Sequence, residues 1–309
     1  MIESPQAAKH LSGASPTAAA AGLVAFLVPL CGCVHDVLPP ASAPPDADAL
    51  IARMHEGFAC ANAIQASAKV DHYGAHGRVR GELLLFASRP ARVRLDVVSP
   101  FGVALATLTS DGERFALADL RDKRFYVGPA SACNIARATT VPVPGHVLVR
   151  LLQGEAPVLK HELRSATMAW SPEGYWTVSV PSTRGAAEEI HLAPRQEDWA
   201  LPWDRQRLRV LDVKVVQQGY LLYHAELSGH AGTPTAGPRL DPDNLEPPLP
   251  PSGPPCDAEI PRKIHLEVPG SDADVYFQYT QVVWNPPLPG GTFEQAPRPD
   301  MPIETVTCE

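Results

Sequence analysis

Six cysteines, one pair of histidines and two small groups of carboxylates are the residues of this 309-residue chain whose types could do chemistry. Cys60, Cys133, Cys256 and Cys308 lie far apart, so the compact CxxC spacing of a metal site is missing. In an exported chain such cysteines fit disulfides, and four of them permit three pairings. His72 and His76, in DHYGAH, would share a face on a helix, but Gly74 and its neighbours favour a loop. Glu188, Glu189 and Asp198 read as surface carboxylates. No GxSxG elbow, P-loop, GxGxxG or HExxH occurs. The sequence predicts no enzyme, no cofactor and no metal centre.

Composition narrows the class further. The chain is 45% hydrophobic and 19% charged, which suits a globular core, with an unusual 34 prolines. A net charge of -8 and the lack of any basic run argue against nucleic acid, whose phosphates are met by clustered Lys and Arg. Residues 18–30 form a short apolar run containing Pro29. A membrane-spanning helix needs about 20 apolar residues, so the run fits the hydrophobic part of a secretory signal instead. It ends in Leu30-Cys31-Gly32-Cys33, which resembles a bacterial lipobox with Cys33 as the lipidated residue and Cys31 where Ala or Ser is usual. Residues 1–32 are then a signal peptide with lipobox, and Cys33 carries a palmitate-type anchor. An ordinary signal peptide cut near Gly32 is the alternative.

The elements that must position these residues follow the hydrophobic pattern. Residues 33–47 are rich in proline and alanine and read as a linker holding a domain off a membrane. After Asp46, a plausible N-cap, Leu50, Ile51, Met54 and Phe58 share one helical face. Strand alternation follows: Val93, Leu95 and Val97; then Trp176, Val178 and Val180; then Ile264, Leu266 and Val268; then Val275, Phe277 and Tyr279. Turn signals separate about ten strands, which predicts a mainly β chain with one curved, meandering antiparallel sheet; strands of this number split into a sandwich or roll into a barrel. Val147, Leu148, Leu151 and Leu152 make an apolar helical stripe ending at Gly154. Residues 230–258 read as a long exposed proline-rich insertion, and 286–309 as a proline-rich tail tied down through Cys308. Val93, Leu95, Val97, Leu148, Leu151 and Leu152 line either a core or a cavity. Trp199 and Trp203 either pack at a strand entrance or meet a membrane interface.

Ser99-Pro100-Phe101-Gly102 interrupts two strands with a large apolar residue at a turn. Together with the proline-punctuated segment Pro142, Pro144, Leu148, Leu151, Leu152, Gly154, Pro157, this resembles the LolB family of outer-membrane lipoprotein receptors, which shares its fold with the periplasmic LolA carriers. The likeness spans residues 48–285 and includes EIPRKIHLEV before a last strand running to Trp284. The resemblance implies an unclosed, half β-barrel with short helices over the open face and a cavity for lipid or lipoprotein acyl chains. By position, Phe101 corresponds to a protruding apolar residue, normally leucine, that contacts the membrane during delivery. The other reading of Phe101 is a ring tucked under the sheet edge. The implied location is the periplasmic face of a bacterial outer membrane, with lipid, lipoproteins and a LolA-like carrier as partners. A structural or assembly lipoprotein that uses the half-barrel to hold a protein partner is the second reading. On the open-face arrangement, Cys60 is expected to pair with Cys133, and Cys256 with Cys308.

Overall fold

The computed structural model describes residues 36–74, 77–99, 101–139, 141–243 and 245–307. Helix α1 (Ala47–Gly57) opens the fold. Strands β1 (Ala63–Gly74), β2 (Gly77–Ser88), β3 (Arg92–Val98), β4 (Ala104–Ser110), β5 (Arg114–Asp119) and β6 (Arg124–Pro129) follow as a meander. Helices α2 (Ala132–Thr139) and α3 (Gly145–Gln153) cross over to β7 (Thr167–Ser171), β8 (Tyr175–Pro181), β9 (Ala186–Pro194), β10 (Leu208–Gln217) and β11 (Tyr220–Ser228). The chain ends with β12 (Lys263–Val268), β13 (Ala273–Trp284) and the short β14 (Ile303–Thr305).

All of these strands belong to one sheet, ordered β14-β6-β5-β4-β3-β2-β1-β13-β12-β11-β10-β9-β8-β7. Every neighbouring pair is antiparallel except β14 with β6. β14 and β7 are left as free edges, so the curved sheet does not close into a barrel. The fold class matches expectation. The count of fourteen exceeds the ten predicted, because β6, β7 and β14 are too short or too polar to alternate clearly.

The helices form where the sequence caps them. The Asp46 carboxylate accepts the Ala49 N–H at 2.8 Å, which satisfies a donor left free at the first turn of α1. Leu50, Ile51 and Met54 then face inward, with Phe58 just past the helix. α3 stops at Gly154, whose φ of 82° is left-handed; a Cβ there would lie 2.4 Å from Pro261 Cδ. α3 lies on β2 and β3, and α1 on β10.

Two expectations need correction. Cys60 pairs with Cys256, not Cys133, their Cα atoms 5.1 Å apart. The reason is local: Cys60 precedes β1, and the returning insertion brings Cys256 to the same place. There the buried Asn285 side chain accepts from the Asn62 and Ala63 N–H groups and donates to the Cys60 and Pro254 carbonyls. Cys133 is also a disulfide cysteine, while Cys308 lies outside the described residues, as do Cys31 and Cys33. The linker is docked rather than free from residue 36 on. Val37 donates to the Pro172 carbonyl and accepts from Trp170 Nε1, and Pro40 and Pro44 are buried. The insertion stays accessible over most of its length and is fastened at isolated points by bridges from Ala231 to Ile260, Thr235 to Trp284 and Arg239 to Leu249.

Candidate functional site: a covered inner wall and an apolar tip

The inner wall of the half-barrel is built from alternate residues of the strands, since side chains on a strand change face at every step. Val93 and Leu95 on β3 point inward, while Val97 is only partly buried against the same cluster. Leu148, Leu151 and Leu152 come down from α3 to meet them, so all six residues belong to one apolar cluster. Val178, Ile190, Val210, Val213 and Ala225 continue it with no exposure at all, as does Met54 of α1. A wall facing a water-sized void would retain some accessible surface. Over these residues the wall and the helices pack side chain to side chain.

A buried ion cluster fastens this cover. Glu155, just past α3, is buried; its Oε1 lies 2.7 Å from His55 Nδ1 of α1 and accepts from Arg150 Nη1 of α3 at 2.6 Å. Its other oxygen accepts from Arg89 in the β2–β3 turn, and Arg89 Nε donates to Gln153 Oε1 at 2.9 Å. Burial lowers the Arg89 pKa, opposed by the Glu155 charge. One carboxylate thus ties both covering helices to the sheet.

A second buried carboxylate sits on the inner wall itself. Glu188 of β9 accepts the Leu159 N–H at 2.6 Å, and its other oxygen is buried without a partner among the described residues. Burial pushes its pKa up to about 7, against the pull of the Leu159 N–H and His161. The expectation of a surface carboxylate fails here because the residue's position on β9 faces inward. It fails for Asp198 too, which is buried and paired bidentately with Arg207 at 2.7 Å on each oxygen. His72 belongs to β1 rather than a loop, and His76 lies outside the described residues. Trp199 and Trp203 are half-buried, and Trp199 meets Trp170 edge to face.

At the far end of β3 the chain turns through Ser99 to Val103. Ser99 Oγ accepts the Phe101 and Val103 N–H groups at 3.3 and 3.1 Å, and the Ser99 and Gly102 N–H groups close the turn on the Val103 and Ser99 carbonyls. Gly102 takes a left-handed φ of 75°. The backbone is therefore held, yet Phe101 is 92% exposed and Val103 is 60% exposed. Phe101 does not tuck under the sheet edge. The tip therefore projects from the rim of an unclosed, half-barrel sheet.

No family model matches the chain, and no curated protein does. Among solved structures it is similar to a DUF1329 family protein from Desulfovibrio piger, with 9% identity, a TM-score of 0.48 and coverage of 80% of this chain and 95% of that one. It is also similar to a LolA superfamily protein from Nitrosomonas europaea, with 9% identity, a TM-score of 0.45 and coverage of 81% and 98%. A third is a domain from Vibrio parahaemolyticus named for outer membrane lipoprotein sorting, with 10% identity, a TM-score of 0.41 and coverage of 80% and 97%. Likenesses this distant say nothing of what the present chain binds. No helix among the described residues is long and apolar enough to cross a membrane.

Proposed function

We propose that this LolB-like chain is a lipid-anchored binding protein of the outer membrane, which takes up acyl chains of lipid or lipoprotein under its helical cover and delivers them through Phe101. The observation that carries the reading is the exposed phenylalanine on a turn fixed by its own hydrogen bonds. Burying that ring in a bilayer is worth roughly 1.5–3 kcal/mol, enough to bias contact and too little to anchor. The filled inner wall is compatible with uptake if α1 is exchanged for cargo. Uncovering Leu50, Ile51, Met54 and Phe58 costs about 6–12 kcal/mol, and a palmitoyl chain at about 0.8 kcal/mol per CH₂ returns a similar amount.

Geometry sets one condition. Nine antiparallel pairings separate β3 from β7, so the Phe101 turn and the β7–β8 turn that holds Val37 lie on opposite rims. With Cys33 lipidated, Phe101 reaches the anchoring bilayer when residues 36–46 peel away, a stretch of roughly 36–40 Å when extended.

The test is Phe101→Glu in the full-length protein. The charge resists entry to an apolar phase, so transfer of bound acyl cargo to liposomes should fall at least tenfold while the melting temperature stays within about 2 °C. Unchanged transfer, or a collapse in melting temperature, would sink the role assigned to Phe101. The packed inner wall also favours a second reading, a structural lipoprotein that holds a protein partner. Mass spectrometry of lipids extracted from the purified protein separates the two: bound acyl lipid beyond the chain's own anchor supports uptake, and its absence supports the structural role.

A further inference from the structure

On the outer face of the sheet, away from the covered wall, two neighbouring strands bring metal-ligating groups together. Asp212 of β10, His224 and Glu226 of β11 each offer one ligand atom, and these atoms lie within 4.8 Å of one another. His224 and Glu226 share a face because they are two apart on one strand. Asp212 stands directly opposite Glu226 in the register of β10 and β11. Two carboxylates so placed repel, and like charges directly opposite destabilise a strand pair. His224 Nε2 lies 2.6 Å from Asp212 Oδ2, and His224 Nδ1 lies 3.6 Å from Glu267 on β12.

The surroundings hold these groups in place. The His265 ring of β12 lies between Glu226 Oε2 and Asp274 Oδ1, 2.8 Å from each, and stacks on Tyr276 with centroids 4.0 Å apart. His265 thus fixes the Glu226 carboxylate, as a group hydrogen-bonded to a ligating carboxylate commonly does. The positions are reachable by solvent: the Asp212, His224 and Glu226 side chains are 16%, 25% and 55% exposed.

We infer that Asp212, His224 and Glu226 form a binding site for a divalent first-row cation such as Zn²⁺, with His265 positioning Glu226. One imidazole with two carboxylates suits Zn²⁺ and its neighbours better than Ca²⁺ or Mg²⁺, which prefer oxygen ligands alone. The cation takes the place of the direct His224–Asp212 contact, and water completes its coordination. It also relieves the repulsion between Asp212 and Glu226. The site is independent of the function proposed above, since it lies on the opposite face of the sheet from the covered wall.

Calorimetric titration of the untagged full-length protein with Zn²⁺ tests this. One equivalent should bind at micromolar or tighter affinity. His224→Asn and Glu226→Gln should each weaken binding at least tenfold, whereas His191→Asn, a nearby histidine outside the trio, should leave it unchanged. Glu226 is the most exposed of the three, so its variant should fold even if the His224 variant does not. Failure of the wild-type protein to bind one equivalent would overturn the site and leave an ordinary cross-strand ion pair. Equal binding by wild type and Glu226→Gln, or an equal loss in His191→Asn, would do the same.

Discussion

Glu188 shows how one residue can make the whole fold sensitive to pH. It is buried on the inner wall, and its pKa rises to about 7 from a usual 4.5 because burial disfavours the charged form. A group whose pKa is raised in the folded state contributes stability that is fully present below the unfolded pKa and is lost as pH rises through the folded one. Stability should therefore fall between about pH 4.5 and 7, by up to about 3 kcal/mol, and level off above that. Glu188→Gln keeps the shape and the Leu159 hydrogen bond but removes the ionisation. Denaturant titrations at pH 5 and 7.5 should show a smaller difference in the variant than in the wild type. An equal difference in both would place the pH dependence elsewhere.

At the scale of elements, the question is what keeps α1 and α3 on the sheet. Apolar packing gives most of the energy, but the Glu155 carboxylate joins the two helices to the β2–β3 turn through His55, Arg150 and Arg89. Removing one member of a buried charge network typically costs about 3–5 kcal/mol, since its partners keep their burial and lose their counter-charge. Glu155→Ala should lower stability by that order. Amide hydrogen exchange should accelerate first in α1 and α3, with β10 to β13 protected as before. Uniform acceleration over the sheet would mean that Glu155 supports the molecule as a whole and does not fasten the cover.

For the whole molecule, the disulfide and the tail decide how the ends are tied. The Cys60–Cys256 bridge spans 196 residues, so it restricts the unfolded chain over most of the sheet, an effect of about 2–5 kcal/mol. β14 adds the tail to the β6 edge, with the Val306 N–H on the Val127 carbonyl and the Val306 carbonyl close to Gly128 and Asn134. Cys308 follows two residues later in sequence, and Cys133 is the disulfide cysteine nearest that edge in the chain. Non-reducing peptide mapping should return a Cys60–Cys256 peptide and a Cys133–Cys308 peptide. A Cys60–Cys133 peptide would contradict the structure.

Much of this was legible in the sequence, because it depends on neighbours along the chain. The alternation of Val93, Leu95 and Val97, the Asp46 cap and the Val147 to Leu152 stripe each encode a local period, and the structure has a strand or helix at each. The turn at Phe101 was legible too, since Ser99 and Gly102 close it by hydrogen bonds within five residues. Whether Phe101 would be covered was not legible, for that depends on what else approaches the rim. Register and long-range pairing decided the rest. Glu188 is buried only because β9 presents it to the inner wall, and Glu155 gains its partners from segments 5 to 100 residues away. Asp212, His224, Glu226 and His265 carry no shared motif; three separate strands bring them together. Composition and local spacing determined a curved, apolar-faced antiparallel β-sheet with a tight turn at Phe101. Only the sheet's pairing order decided which charges are buried, which cysteines meet and which polar groups converge, because those contacts join residues too far apart for any local pattern to record.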